Sequence, residues 1–386
     1  MNKIKTIFLG LIVFGTLQCT NGQTSENTLQ SNSKEKVDQT NSKADFKLSD
    51  FYTDSKLLNQ KVEEIFANMS NSDKVAQLIM PAIGNYGQKE GTIDSLVKSG
   101  KIGGLLLLNG TKDQFSNWVQ KYNSWNDSLG KTPFLYSADA EPSLINRKIK
   151  NSTTVTKANK IQTLKGVEET ARTISKDLNE IGINYNFAPV VDMSPNKTVG
   201  WRSFGHVPDS VIPWSQEFIN VTQSQNIIAT AKHFPGHGYV EGDTHKKLVY
   251  IDGEFKEVSN YTPLIEDGVI SVMIAHIAVK NNTNYNTNDL PASTSRKIVT
   301  GLLRDSLGFK GLVVTDAMNM GGVSSIENAN FMAIEAGCDI LLMPLNAFEA
   351  HETLLLAYQN DQEFKEIVDN ACKRIIRAKT CLGLVK

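Results

Sequence analysis

Eight short apolar runs divide this chain, with longer stretches of helical period between them. The runs cover residues 76–82, 102–108, 134–139, 185–192, 227–233, 270–276, 312–316 and 340–343, and Gly, Pro or Asp bounds them. Strands that are apolar throughout, without polar alternation, are buried on both faces, which is the condition of a parallel sheet covered by helices. Helical spacing fills residues 161–181, 211–226, 296–307 and 330–336, and Gly182 and Gly308 stand just past helix ends, where a left-handed residue is wanted. Eight β-then-α units predict an α/β fold, most simply a single (β/α)8 TIM barrel. An open doubly wound sheet is the alternative. No GxGxxG or GxxxxGK[ST] follows any strand, so nucleotide binding has no support. Residues 363–382 read as a closing helix, and no second domain follows the eighth unit.

Composition narrows the surroundings. The formal net charge is −1, which gives no field to draw the chain to nucleic acid or an anionic membrane. Lys3 and Lys5 precede an apolar run over residues 7–17 that is too short to span a bilayer, and Cys19 follows. This resembles a bacterial lipoprotein signal, although Gln18 stands where a small residue is usual. Simple secretion and an uncleaved anchor are the alternatives. Residues 20–45 are polar, without an aromatic, and cannot bury enough apolar surface to order themselves. The expectation is an export signal over 1–19, a disordered tether over 20–45 and one domain over 46–386. That domain would be a monomer outside the cytoplasmic membrane, touching the bilayer only through a lipid on Cys19. Cys338, Cys372 and Cys381 form no CxxC and read as buried small hydrophobes.

Barrel enzymes carry their chemistry at the C-terminal ends of their strands. Here the third run ends in Asp139, the fourth in Asp192, the fifth in Lys232 and His233, the sixth in His276 and the seventh in Asp316. Charged or imidazole side chains at five of eight ends form a convergent polar ring, which predicts a functional site. No HExxH occurs and the histidines lack metal-ligand spacing, so neither a metal nor a cofactor is expected.

Lys232-His233-Phe234-Pro235-Gly236-His237-Gly238, then Asp243-Thr244-His245, is the most specific block. With Trp201-Arg202-Ser203-Phe204-Gly205 and Val313-Val314-Thr315-Asp316-Ala317-Met318, it resembles glycoside hydrolase family 3. Within that family the likeness is to the β-N-acetylglucosaminidases that act on peptidoglycan fragments, and it extends from about Val75 to Pro344. The resemblance implies a retaining double displacement with Asp316 as nucleophile and His245 as general acid/base, partnered by Asp243. An imidazole suits that role because it ordinarily titrates near neutrality. Both dyad residues follow a Gly-rich stretch, 236–242, that is able to move once substrate binds. Asp139, Arg202, Lys232 and His233 would hold the terminal sugar, and His276 and Met318 would wall the pocket. Asp139-Ala140-Glu141-Pro142-Ser143 lacks the two glycines usual in the family, which puts the subsite near strand three in doubt. Arg147 is a candidate partner for Glu141, and His237 and Asp192 read as structural.

The partner so implied is a glycan ending in N-acetylglucosamine (GlcNAc). Other readings stay open: another β-glycosidase of the family, a phosphorylase using the same nucleophile, or a carbohydrate-binding pseudoenzyme. Gly321-Gly322, after the seventh run, is too short to serve as a phosphate loop.

Overall fold

The computed structural model describes residues 45–193, 196 and 199–385, within a compact unit Asp45–Lys386. The export signal, Cys19 and nearly all of the tether lie outside the described residues.

Among the described residues, thirteen strands form four groups. β1 is Ile79–Met80, β2 Ala82–Ile83, β3 Gly104–Leu107, β4 Gly110–Thr111, β5 Leu135–Ala138, β6 Ile149–Lys150 and β7 Tyr185–Asn186. β8 is Ile228–Phe234, β9 Val249–Asp252, β10 Ser271–Ile274, β11 Ile277–Lys280, β12 Leu312–Thr315 and β13 Leu341–Leu342. A seven-stranded sheet runs β12-β10-β8-β7-β5-β3-β2 with every neighbouring pair parallel. β13 pairs with β1, and a bridge joins Val314 of β12 to Ile340, the residue before β13. Helices alternate with the strands, which makes this a (β/α) barrel-like domain. The short pairs β4–β6 and β9–β11 lie outside that sheet.

Each predicted run appears, but two are broken for the same reason. The run 76–82 becomes β1 and β2 with Pro81 between them, and Ala76 instead ends a helix, Asn71–Ala76. The run 185–192 keeps only Tyr185–Asn186 in the ladder. Proline has no N–H to donate, so Pro81 and Pro189 interrupt regular pairing. Beyond Pro189 the chain still runs beside β8, with Val191 N–H donating to the Lys232 carbonyl at 2.8 Å. That contact brings Asp192 alongside His233.

The helix Leu164–Ile181 shows how sequence spacing sets the packing. Thr163 caps its start, its side-chain oxygen accepting from Gly166 N–H at 3.0 Å. Val167, Ala171, Ile174, Leu178 and Ile181, spaced three or four apart, are its buried apolar stripe. Gly182 ends it in the left-handed region at φ 94°, and a Cβ there would stand 2.9 Å from Val119. The helix expected over 296–307 is present over Lys297–Ser306 but wound as a π-helix, closing with Leu307 N–H on the Leu302 carbonyl. The closing helix is Gln362–Cys381, and the three cysteines are free and buried.

Candidate active site

A cavity of about 560 Å³ opens where the strands end. Asp139, Arg202, Lys232, His233, Asp243, His245 and Asp316 all line it. Seven polar residues drawn from three strand ends and two loops therefore face one space, of a size that suits a small ligand.

Asp316 follows β12 directly. Its backbone N–H stays in the ladder, donating to the Ile274 carbonyl at 2.8 Å, while its Oδ1 accepts from Ala317 N–H at 2.8 Å. Burial opposes the charge of this carboxyl, but the imidazoles of His233 and His276 and the Ala317 N–H outweigh it. The group is held below the ordinary aspartate range and stays anionic at neutral pH.

His245 sits across the cavity lining on the loop behind β8. Its Nδ1 lies 2.8 Å from Asp243 Oδ1, and the same oxygen accepts His245 N–H at 3.0 Å. A carboxylate only accepts, so Nδ1 carries the proton and Nε2 is the free atom. The His245 side chain is 62% exposed. Burial of Asp243 is outweighed by its bonds to His245, which hold its carboxyl below the ordinary range.

The floor is a buried ion cluster. Lys232 Nζ lies 2.9 Å from Asp139 and 2.6 Å from Glu141, with Lys232 1% exposed and the Glu141 side chain 0%. Arg202 grips Glu141 through two nitrogens, at 2.8 and 2.6 Å, and Lys148 reaches the second Asp139 oxygen at 2.6 Å. Burial works against both carboxylates, yet these cations win. Glu141 is lowered to about 2, and Asp139 is held far below its usual range by Lys148 and Lys232. Lys232, despite its own burial, is pushed up by Asp139 and Glu141 and remains a cation. Glu141 is thus paired by Arg202 and Lys232 rather than by Arg147. Arg147 follows four residues after Ser143, in a segment where Ser143 Oγ donates to the Trp201 carbonyl at 2.9 Å, and it lines the cavity instead.

His233 is oriented by Asp192, whose Oδ2 lies 2.6 Å from Nδ1. Asp192 Oδ1 also accepts the N–H of His233 at 3.2 Å and of His237 at 2.8 Å. This leaves His233 Nε2 for the cavity. His237 is buried, its Nε2 3.2 Å from Thr244 Oγ1, and so ties the Gly-rich stretch to the dyad loop.

Two expected wall residues stand behind the lining. His276 is fully buried, Nε2 donating to the Ala317 carbonyl at 3.0 Å and Nδ1 2.7 Å from Ser293 Oγ. Burial lowers its pKa against the pull of the Asp316 charge, and the ring supports the backbone next to Asp316. Met318 is 3% exposed and packs into the main hydrophobic core. A side chain two residues beyond Asp316 on this turn points inward, which spacing alone did not distinguish.

Sequence reasoning missed Lys148 and Glu257. Lys148 had no signal beyond standing next to Arg147. Glu257 is buried and accepts from the N–H groups of Met193 and Gly238, the latter at 2.8 Å, joining the end of the fourth run to the Gly-rich stretch. Burial and the Asp192 charge raise its carboxyl to about 8, against the pull of the backbone donors. A carboxyl raised on folding contributes stability that is complete below the ordinary glutamate range and is lost as pH climbs to about 8. Thermal unfolding followed from pH 5 to 8 is expected to show declining stability in the wild type and a shallower decline in Glu257→Gln.

With that geometry in view, residues 71–378 match the glycosyl hydrolase family 3 N terminal domain. The chain belongs to glycosyl hydrolase family 3. Among sequence relatives, this family 3 chain is 32% identical over 240 residues to β-hexosaminidase A of Pseudoalteromonas piscicida, covering 55% of this chain and 40% of that one. The chain spans about half the length of the first curated relatives it matches, 40%, 42% and 57% of their own lengths. Among solved structures, a family 3 β-N-acetylglucosaminidase from Paenibacillus sp. str. FPU-7 superposes with a TM-score of 0.74 at 26% identity, over 82% of this chain and 63% of that one. A β-N-acetylhexosaminidase from Beutenbergia cavernae gives 0.73 at 26% identity, over 81% of this chain and 99% of that one.

Proposed function

We propose that this family 3 chain is an exo-acting, retaining β-N-acetylglucosaminidase that removes terminal GlcNAc from peptidoglycan or chitin-type fragments. One observation carries the reading: the Asp316 carboxylate and the Asp243-supported imidazole of His245 line the same cavity, above a floor of charged groups. We read the domain as a complete (β/α)8 barrel, with β13 as the eighth strand.

In the first step an Asp316 oxygen attacks the anomeric carbon. The glycosidic bond breaks, and the leaving oxygen takes the Nε2 proton of His245 in its doubly protonated, imidazolium form, which leaves a neutral ring with its proton on Nδ1. Asp243 keeps the ring oriented through Nδ1–H, as the carboxylate of a hydrolytic triad does. In the second step the neutral Nε2 takes a proton from water, whose oxygen attacks the same carbon and releases Asp316. Two inversions give net retention. Asp139, Arg202, Lys232 and His233 would fix the sugar hydroxyls with charge-assisted bonds, Lys148 serving beside them.

The GlcNAc preference rests on the family likeness and on the relatives' names. Action outside the cytoplasmic membrane, from a lipid anchor on Cys19, rests on residues 1–19, and the monomer is the default assignment.

The test is a panel of 4-nitrophenyl β-glycosides, with and without inorganic phosphate. The GlcNAc substrate is expected to be cleaved at least about tenfold better than glucose or xylose, the scale of a few well-placed contacts. Free GlcNAc is the expected product in both buffers. Preference for glucoside would reject the substrate assignment, and a sugar 1-phosphate product would reject hydrolysis.

A further inference from the structure

The two residues that would carry acid/base chemistry sit on a loop whose backbone is fastened to the loop that follows Asp316. Gly321 N–H donates to the His245 carbonyl at 3.0 Å, and Gly322 N–H donates to the Thr244 carbonyl at 3.0 Å. The approach is close enough to require glycine at 321. A Cβ there would stand 2.4 Å from the Lys246 carbonyl oxygen and 3.0 Å from that of His245. At 322 the fit is less severe, with a Cβ 3.0 Å from the His276 carbonyl oxygen and 3.2 Å from that of Thr244. The same loop begins at Asp316, whose neighbour Ala317 is held through its carbonyl by His276 Nε2 at 3.0 Å.

We propose that Gly321 and Gly322 form a backbone latch that sets the position of His245 relative to Asp316. They are positioning residues, acting through the dyad loop. The Asp243–His245 pair is local and fixes only the ring's orientation on its own loop. The exposed imidazole needs a tie to the loop that follows Asp316 if its Nε2 is to meet a leaving oxygen at hydrogen-bond distance, and the two glycine N–H groups supply that tie. This inference rests on the proposed roles of His245 and Asp316.

A displaced acid predicts a pattern that general destabilisation does not. Leaving groups that depart as stable anions need little proton donation, whereas a sugar leaving group needs it fully. For Gly321→Ala, kcat/KM on a GlcNAc disaccharide is expected to fall about 100-fold or more, the scale of general acid catalysis. On the 2,4-dinitrophenyl glycoside it is expected to fall less than about tenfold. Azide should restore kcat on the activated substrate by attacking the anomeric carbon of the glycosyl-enzyme, expelling Asp316 and leaving the β-glycosyl azide without base assistance. His245→Gln should share this signature, and Gly322→Ala should show a milder form. Gly91→Ala, whose added Cβ meets nothing within 4 Å, is the neutral control.

Equal loss on both substrates without azide rescue would overturn the latch, as would wild-type ratios in either glycine variant. If Gly321→Ala does not fold, the ratio in Gly322→Ala decides. If wild type cleaves neither substrate, the proposed function fails first; a failed latch alone leaves wild type and His245→Gln behaving as described.

Discussion

Asp316→Asn is expected to lower kcat on an activated β-GlcNAc substrate by a factor on the order of 10⁴ or more, the usual scale for removing a nucleophile. Asparagine keeps an oxygen able to accept the Ala317 N–H at the position of Asp316 Oδ1, so the local backbone bond survives. What disappears is the anion that would form the ester and stabilise a developing oxocarbenium ion. Folding should change little, because the side chain is only half-buried and its bond from Ala317 N–H is retained. Circular dichroism melting near the wild-type value, together with lost turnover, is the expected pair of results. Activity above about one hundredth of wild type would place the nucleophile elsewhere.

The second large effect is structural. Lys232→Ala removes the cation shared by Asp139 and Glu141 from a site that water hardly reaches. Breaking a buried pair by deleting one partner costs about 3–5 kcal/mol. Each carboxylate keeps one other cation, Lys148 or Arg202, so the lower end applies, about 3 kcal/mol. For a domain of ~340 residues that amounts to a fall of about 4 °C in Tm.

The pH dependence gives the sign. The Glu141 carboxyl, lowered to about 2 on folding, contributes stability that is present above the ordinary glutamate range and is lost as pH falls towards about 2. Without Lys232 there is less to lose. The stability gap between wild type and Lys232→Ala should therefore narrow as pH falls through that window. A gap that widens would mean that Lys232 is not the partner holding Glu141 down.

The strands were legible because a strand buried on both faces must be apolar throughout, and the runs ending at Asp139 and Asp316 could satisfy that condition in no other element. Their limits were less so. Pro81 and Pro189 carried the signal that cuts two runs, but a proline says only that a donor is missing, not that the chain continues alongside its neighbour. The polar ring was legible for a related reason: Lys232 at the end of an apolar run is costly to bury without a purpose.

Partnerships were harder to read, because an ion cluster is made by residues far apart in sequence. Glu141 meets Arg202 across 61 positions, so a sequence offered Arg147, six residues away, as an equally good partner. Glu257 and the Gly321–Gly322 pair act on backbone groups of distant loops, and nothing local marks such a contact. Met318 and His276 erred in the other direction. Standing near a strand end does not say whether a side chain faces the cavity or the layer beneath it, and both face the layer beneath.

The central claim is that Asp316 forms a covalent bond to the sugar while His245 serves both steps. Incubation with a slow fluorinated β-GlcNAc glycosyl fluoride, followed by intact-protein and peptide mass spectrometry, tests it directly. The expected result is one glycosyl adduct per chain, on the peptide carrying Asp316, and none in Asp316→Asn. An adduct on another residue, or full turnover with no adduct at any time, would contradict it.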